Sequence, residues 1–170
     1  MAREKILTCA KALADSGLTI AFVESATAGR MCSEFSLAPE SGQILQGGIS
    51  CYEVFVKENI VKVPHELIEA FTPESAEVTA ALAENAQALF NSGITVAVTG
   101  LTTPGGSETP EKPVGTMFIH IIHPTGFVSH REIFSGDQEA IVLQAIERAA
   151  ELITQAITYK EREPNNKSGK

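Results

Sequence analysis

The sequence predicts an α/β domain of three layers, α/β/α, built on a mixed, mostly parallel sheet that includes an antiparallel hairpin. Short, dense apolar runs alternate with helix-periodic segments as far as Val98. Two longer apolar segments then face each other across the turn His123-Pro124-Thr125-Gly126. An amphipathic helix closes the chain. With 170 residues, 44% of them apolar, the chain suits one domain over 1–159, followed by a disordered polar tail over 160–170.

Ile6, Cys9, Ala10 and Leu13 recur at helical spacing until Asp15-Ser16-Gly17 stops them. Leu18 to Val23 is short and apolar enough for a buried strand. A second helix is expected from Ala28 to Leu37, a strand from Gly47 to Tyr52, and a short helix or turn from Val54 to Val61. His65, after Pro64, falls in an expected surface turn. Thr72-Pro73-Glu74 has the signals of a helix start: a capping hydroxyl, proline in the first turn, and an acid at the positive end of the dipole. Gly93 would close that helix. Ile94 to Val98 is a buried strand that runs into a turn-rich loop, Thr99 to Pro113. Val114 to Ile122 and Phe127 to Phe134 form the hairpin, and Asp137 caps the last helix, whose stripe is Ile141, Ala145, Ala149, Leu152 and Ala156.

Thirteen Lys and Arg against 21 Asp and Glu give a formal net charge of −8. Phosphate backbones bind basic faces, so nucleic acid is not an expected partner. No apolar run reaches the roughly 18–20 residues that span a bilayer, so no membrane role is expected. Cys9, Cys32 and Cys51 are too far apart for a Cys-x-x-Cys site, which suits a cytoplasmic location.

In sheets of this kind ligands collect beyond the carboxyl ends of the strands. Three segments fall at such ends: Glu24 to Arg30, Cys51 to Lys57, and Thr99 to Gly106. Ser25 stands in the first, where a hydroxyl is either a helix cap or a nucleophile beside free N–H groups. A nucleophilic serine needs a base. His120 and His123, three apart on a strand, point to opposite faces and form neither a triad nor a zinc pair. Lys57, after Val54-Phe55-Val56, is the better base, since an apolar surround lowers an ammonium's pKa. Tyr52 could relay a proton or hold an oxyanion through its phenol. Read singly, a lysine after a strand is a surface residue and a tyrosine at a strand end is packing. In the third segment Gly100, Gly105 and Gly106 would let the main chain approach a ligand.

Taken together, Glu24-Ser-Ala-Thr-Ala-Gly29, Gly47-Gly-Ile-Ser-Cys-Tyr52 with Lys57, Val98-Thr-Gly100 with Pro104-Gly-Gly106, Lys112-Pro-Val-Gly-Thr116 and Phe134-Ser-Gly-Asp137 resemble the CinA C-terminal domain family, in family order. The resemblance implies a homodimer that hydrolyses the carboxamide of nicotinamide mononucleotide, a small-molecule nucleotide, to nicotinate mononucleotide and ammonia, without metal or other cofactor. It implies Ser25 as nucleophile, Lys57 as base, and Tyr52 and Thr27 in the proton path or at the oxyanion. Main-chain N–H groups from Ala26 to Gly29 would be oxyanion donors. Ala28, Gly29, Gly48, Thr99, Gly100, Thr103, Gly105, Gly106 and Gln138 would contact substrate.

Three departures stand out: Ala28 where the family shows glycine, Leu101-Thr102-Thr103 where it shows Ile-Ala-Gly, and Gln138 and Val142 in place of two arginines. Arginine suits a phosphate and glutamine lacks the charge. The alternative reading is therefore a weakened or inactive paralogue that binds a nucleotide or a protein partner in the same cleft.

Overall fold

Each central strand divides its side chains between two helical layers. A computed structural model describes residues 2–158. Its elements are α1 (Ala2–Asp15), β1 (Ile20–Glu24), α2 (Arg30–Ser36), α3 (Ser41–Ile44), β2 (Leu45–Ser50), α4 (Val54–Asn59), α5 (His65–Phe71), α6 (Ala76–Phe90), β3 (Ile94–Gly100), β4 (Thr116–His123), β5 (Gly126–Ile133) and α7 (Gln138–Thr158). The sheet order is β2-β1-β3-β4-β5. β1 pairs in parallel with both β2 and β3, while β4 pairs antiparallel with β3 and with β5. Only β4 therefore runs against the others, and the three-layer α/β/α expectation holds.

Alternation along β1 and β3 sorts the core. Phe22, Val96 and Val98 pack with Ile6 and Leu13 of α1, Phe35 of α2, and Ile146 and Ala149 of α7. Val23 and Ala97 point the other way, against Ile68 of α5 and Leu82 and Ala86 of α6. Val23 and Ala97 are fully buried, as near-continuous apolar strands require when helices cover both faces of a sheet.

Several expected boundaries move: β2 runs from Leu45 to Ser50 rather than from Gly47 to Tyr52, and β4 starts at Thr116 rather than Val114. α6 begins at Ala76, with Ser75 as its cap: Ser75 Oγ accepts the Val78 N–H (3.2 Å). Thr72 has φ 69 and its hydroxyl accepts from Lys112 Nζ (2.7 Å), so the chain turns there before the helix starts. The same helix ends at left-handed Asn91 (φ 49) rather than at Gly93. Gly93 answers to packing instead, since a Cβ there would lie 3.1 Å from Leu18 Cδ2. His65 opens α5 instead of sitting in a turn, and α2 starts two residues after Ala28. Asp137 caps α7 as expected, its Oδ1 accepting the Ala140 N–H (2.9 Å). The polar tail expected over 160–170 lies outside the described residues.

Candidate active site

The carboxyl ends of β1 and β3 lie side by side, because Glu24 is in register with Val98. Beyond them the main chain of Ser25 stays tied to the sheet through its N–H, which donates to the Val98 carbonyl (2.9 Å). Ser25 thus sits just beyond the carboxyl end of β1, beside that of β3, and is 6% exposed.

Glu24 organises the turn from Ser25 to Arg30. Its buried carboxylate accepts from Thr27 Oγ1 (2.6 Å) and from the main-chain N–H groups of Gly29 (3.0 Å), Met31 (3.0 Å) and Cys32 (2.8 Å). Those are the donors that a helix start leaves open, so one carboxylate caps α2 from below. Two expectations change as a result. The Thr27 hydroxyl is buried against Glu24 and does not line the cleft. The Gly29 N–H is committed to Glu24, and the Ala28 N–H to the Ser25 carbonyl (3.1 Å), so neither points to an oxyanion.

Lys57 stands in the last turn of α4 and is 1% exposed. Its Nζ lies 2.8 Å from Ser25 Oγ, 2.7 Å from the Cys51 carbonyl and 3.1 Å from the Tyr52 carbonyl. Two carbonyls claim two N–H bonds and leave the third direction aimed at the serine. As a neutral amine, Lys57 can keep both carbonyl bonds and accept the Ser25 proton along that direction. Burial pulls the Lys57 pKa below the ordinary lysine value, against the opposing fields of Cys51, Glu74 and Glu53. Ser25 and Lys57, 32 residues apart in sequence, form the pair that nucleophilic activation requires.

Ser25 opens on a cleft of about 220 Å³, lined also by Ala26, Tyr52, Glu74 and the loop from Gly100 to Gly106, with Lys57 buried behind the serine. Tyr52 contributes in two ways: its carbonyl holds Lys57, and its side chain, 60% exposed, stands at the mouth. Thr103, Gly105 and Gly106 line the cleft as the sequence suggests, and Gly100 is required, because a Cβ there would fall 2.7 Å from the Thr116 carbonyl.

Other expected contacts lie elsewhere. Thr99 is buried and its hydroxyl meets Thr79 of α6 (2.8 Å). Thr79 already donates to the Ser75 carbonyl (2.5 Å), so Thr99 is the donor between them. Gly48 is a packing position on β2, where a Cβ would fall 3.0 Å from the Phe22 carbonyl and 3.5 Å from Cys32 Cβ. Ala28 and Gly29 lie in the turn behind the serine. Gln138 stands outside the lining but donates to Thr102 Oγ1 (3.3 Å), which is part of it.

Two acids hold central positions that the sequence alone does not assign to the site, Glu24 and Glu74. The signal for Glu24 is an acid at a strand end followed by a hydroxyl, a glycine and a helix. Glu74 reads locally as a helix-start acid, and nothing nearby marks it otherwise.

Rival chemistry is weak. Ser107 and Lys112 form a second serine–lysine contact (2.8 Å), but the Ser107 hydroxyl donates to Glu74 Oε2 (2.5 Å). Lys112 Nζ is spread over Thr72 Oγ1 (2.7 Å), the Glu74 carbonyl (3.0 Å) and Ser107. That cluster straps the loop to the start of α6. Burial pushes the Cys51 thiol up, and Cys9 to about 12, so neither is a thiolate nucleophile. Among the described residues no group of three or more His, Cys, Asp or Glu is placed to hold a metal ion, and no helix is long and apolar enough to cross a membrane.

The CinA C-terminal domain model matches residues 3–157. A CinA-like protein of Prochlorococcus marinus is 34% identical over 129 residues, covering 75% of this chain and 30% of that protein. A putative competence-damage inducible protein of Desulforamulus reducens is 38% identical over 129 residues, covering 76% of this chain and 31% of that one. The chain therefore spans about a third of the length of these relatives. Among solved structures, a CinA superfamily protein of Klebsiella pneumoniae superposes with a TM-score of 0.88 at 22% identity, covering 94% of this chain and 99% of that one. A competence/damage inducible protein of Agrobacterium tumefaciens gives 0.85 at 23%, covering 92% and 95%. Five-stranded sheet, flanking helices and near-complete sequence match agree: this chain belongs to the CinA C-terminal domain family.

Proposed function

We propose that this chain is an amidohydrolase in which Ser25 attacks the carboxamide of nicotinamide mononucleotide and Lys57 is the general base. The observation that carries the reading is the buried 2.8 Å contact between Lys57 Nζ and Ser25 Oγ, with both remaining amine directions held by carbonyls.

The neutral amine takes the Ser25 proton as Oγ bonds to the carboxamide carbon. The tetrahedral intermediate collapses, its C–N bond breaks, and the Lys57 ammonium returns the proton to the departing ammonia. Water then attacks the acyl-serine ester, Lys57 takes one proton and gives it back to Ser25 Oγ, and the acid leaves as its carboxylate with its remaining proton passing to solvent. Dividing one hard displacement into two is what a covalent intermediate contributes. With Ala28 and Gly29 committed, we assign the oxyanion to the Ala26 N–H, in the lining beside the nucleophile, with the Tyr52 phenol at the mouth. A cleft of about 220 Å³ is smaller than the roughly 300–1,000 Å³ of pockets that enclose a whole ligand, and suits a ring with its carboxamide rather than a complete nucleotide.

A second reading, binding without turnover, draws on Gln138: it reaches Thr102 where an arginine would reach a phosphate. Ammonia release from nicotinamide mononucleotide separates the two. Ser25→Ala and Lys57→Met should each lower turnover by a factor on the order of 10³ or more while the fold persists. A wild-type protein that binds the nucleotide at saturating concentration and releases no ammonia supports the second reading and overturns the first.

A further inference from the structure

The charged side chain in the lining of the cleft is a carboxylate, Glu74, and no arginine or lysine stands among the lining residues. Its position is held. Ser107 Oγ fixes Oε2 (2.5 Å) and leaves Oε1 as the oxygen for a ligand, while Lys112 Nζ binds the Glu74 main-chain carbonyl (3.0 Å). Lys112 Nζ also donates to Ser107 Oγ (2.8 Å), the hydroxyl that holds the carboxylate, so it fixes the segment and offsets part of its charge. The glycine loop adds to the same sign. The Gly105 N–H, a donor that an anionic group of a ligand could use, is filled by Glu108 Oε1 (2.7 Å) of the chain itself. The Glu108 carboxyl is held below its ordinary range by the N–H groups of Gly105, Glu108 and Gly106. A cleft of this sign repels an anionic substituent and attracts a cation.

We propose that Glu74 makes the cleft selective for a carboxamide carried on a positively charged ring, an N-substituted pyridinium, over its neutral counterpart, with a phosphate adding little. This rests on the amidohydrolase reading for the identity of the amide but is tested without turnover. Glu74 shares the lining with Ser25, so a ring whose carboxamide meets Ser25 would bring its charge to the carboxylate, which acts as a specificity residue and takes no part in proton transfer.

The test is calorimetric binding to the Ser25→Ala protein of 1-methylnicotinamide, a pyridinium cation, and of nicotinamide, its neutral counterpart. The cation should bind about fivefold more tightly, the upper end of the range for one partly solvated charge pair. Glu74→Gln, which keeps an acceptor for Ser107, should remove the preference, and Glu74→Asp should retain part of it. Equal affinity of the two ligands, no measurable binding of the cation, or a preference that survives in Glu74→Gln would each overturn the proposal. Absence of ammonia release from nicotinamide mononucleotide by the wild-type protein, with the preference intact, would instead count against the amidohydrolase reading alone.

Discussion

At Ala28 the chain passes through a left-handed conformation (φ 49) in the turn that carries Ser25 into α2. Such a conformation costs an L-residue with a Cβ roughly 1–2 kcal/mol, and glycine recovers that at some loss of unfolded-chain entropy. Ala28→Gly should therefore stabilise the protein by about 0.5–1 kcal/mol, read as a higher urea midpoint at unchanged slope. A lowered midpoint would mean that the alanine methyl makes a compensating contact. The residues proposed to carry chemistry are legible in the sequence where residue type and neighbours agree, as at Ser25 and Lys57. Tyr52 is legible as a residue, but no sequence pattern reveals that its carbonyl is what holds the lysine. Thr27 reads as a proton carrier, whereas its hydroxyl serves the buried carboxylate of Glu24, three residues before it.

α2, seven residues long, is too short to be stable by propensity, so its start depends on the Glu24 carboxylate. Glu24→Gln places an amide NH₂ among four donors. It should destabilise the protein by about 2–3 kcal/mol, the cost of replacing a charged acceptor with a partial mismatch, and should lower turnover by shifting Ser25. Unchanged stability in a denaturation series would show that the cap is dispensable. The sequence displays most elements because strands buried on both faces leave near-continuous apolar runs, as in Ile94 to Val98. It misplaces the start of α6 because Thr72-Pro73-Glu74 carries every local start signal, yet Lys112, 40 residues on, takes the Thr72 hydroxyl. Local rules do not see such a partner.

Two buried groups, Lys57 and His120, each bind fewer protons folded than unfolded just below their ordinary pKa values. Burial lowers the Lys57 pKa from 10.5, so just below that value the unfolded chain holds a proton that the folded chain has shed. Stability should rise with pH through that window. His120 behaves likewise just below 6.5: burial lowers its pKa, opposed by the field of Glu84, and its Nδ1 is buried without a hydrogen-bond partner. Stability should fall as pH drops through that window. Melting temperatures of the wild type, Lys57→Met and His120→Phe across pH would show it, each variant flattening one limb. His120→Phe keeps an aromatic ring to stack on Phe127 (5.2 Å). Three superimposable profiles would contradict the assignment.

The aim of the Lys57 amine is stored in two peptide carbonyls, those of Cys51 and Tyr52. Carbonyls are the part of a residue that point mutation leaves in place. The thiol and the phenol are thus free to drift over generations without turning the amine away from the serine. The fragility lies in chain length: one residue gained or lost between Tyr52 and Val54 would swing both carbonyls at once, so insertions, more than substitutions, are what this site has to resist.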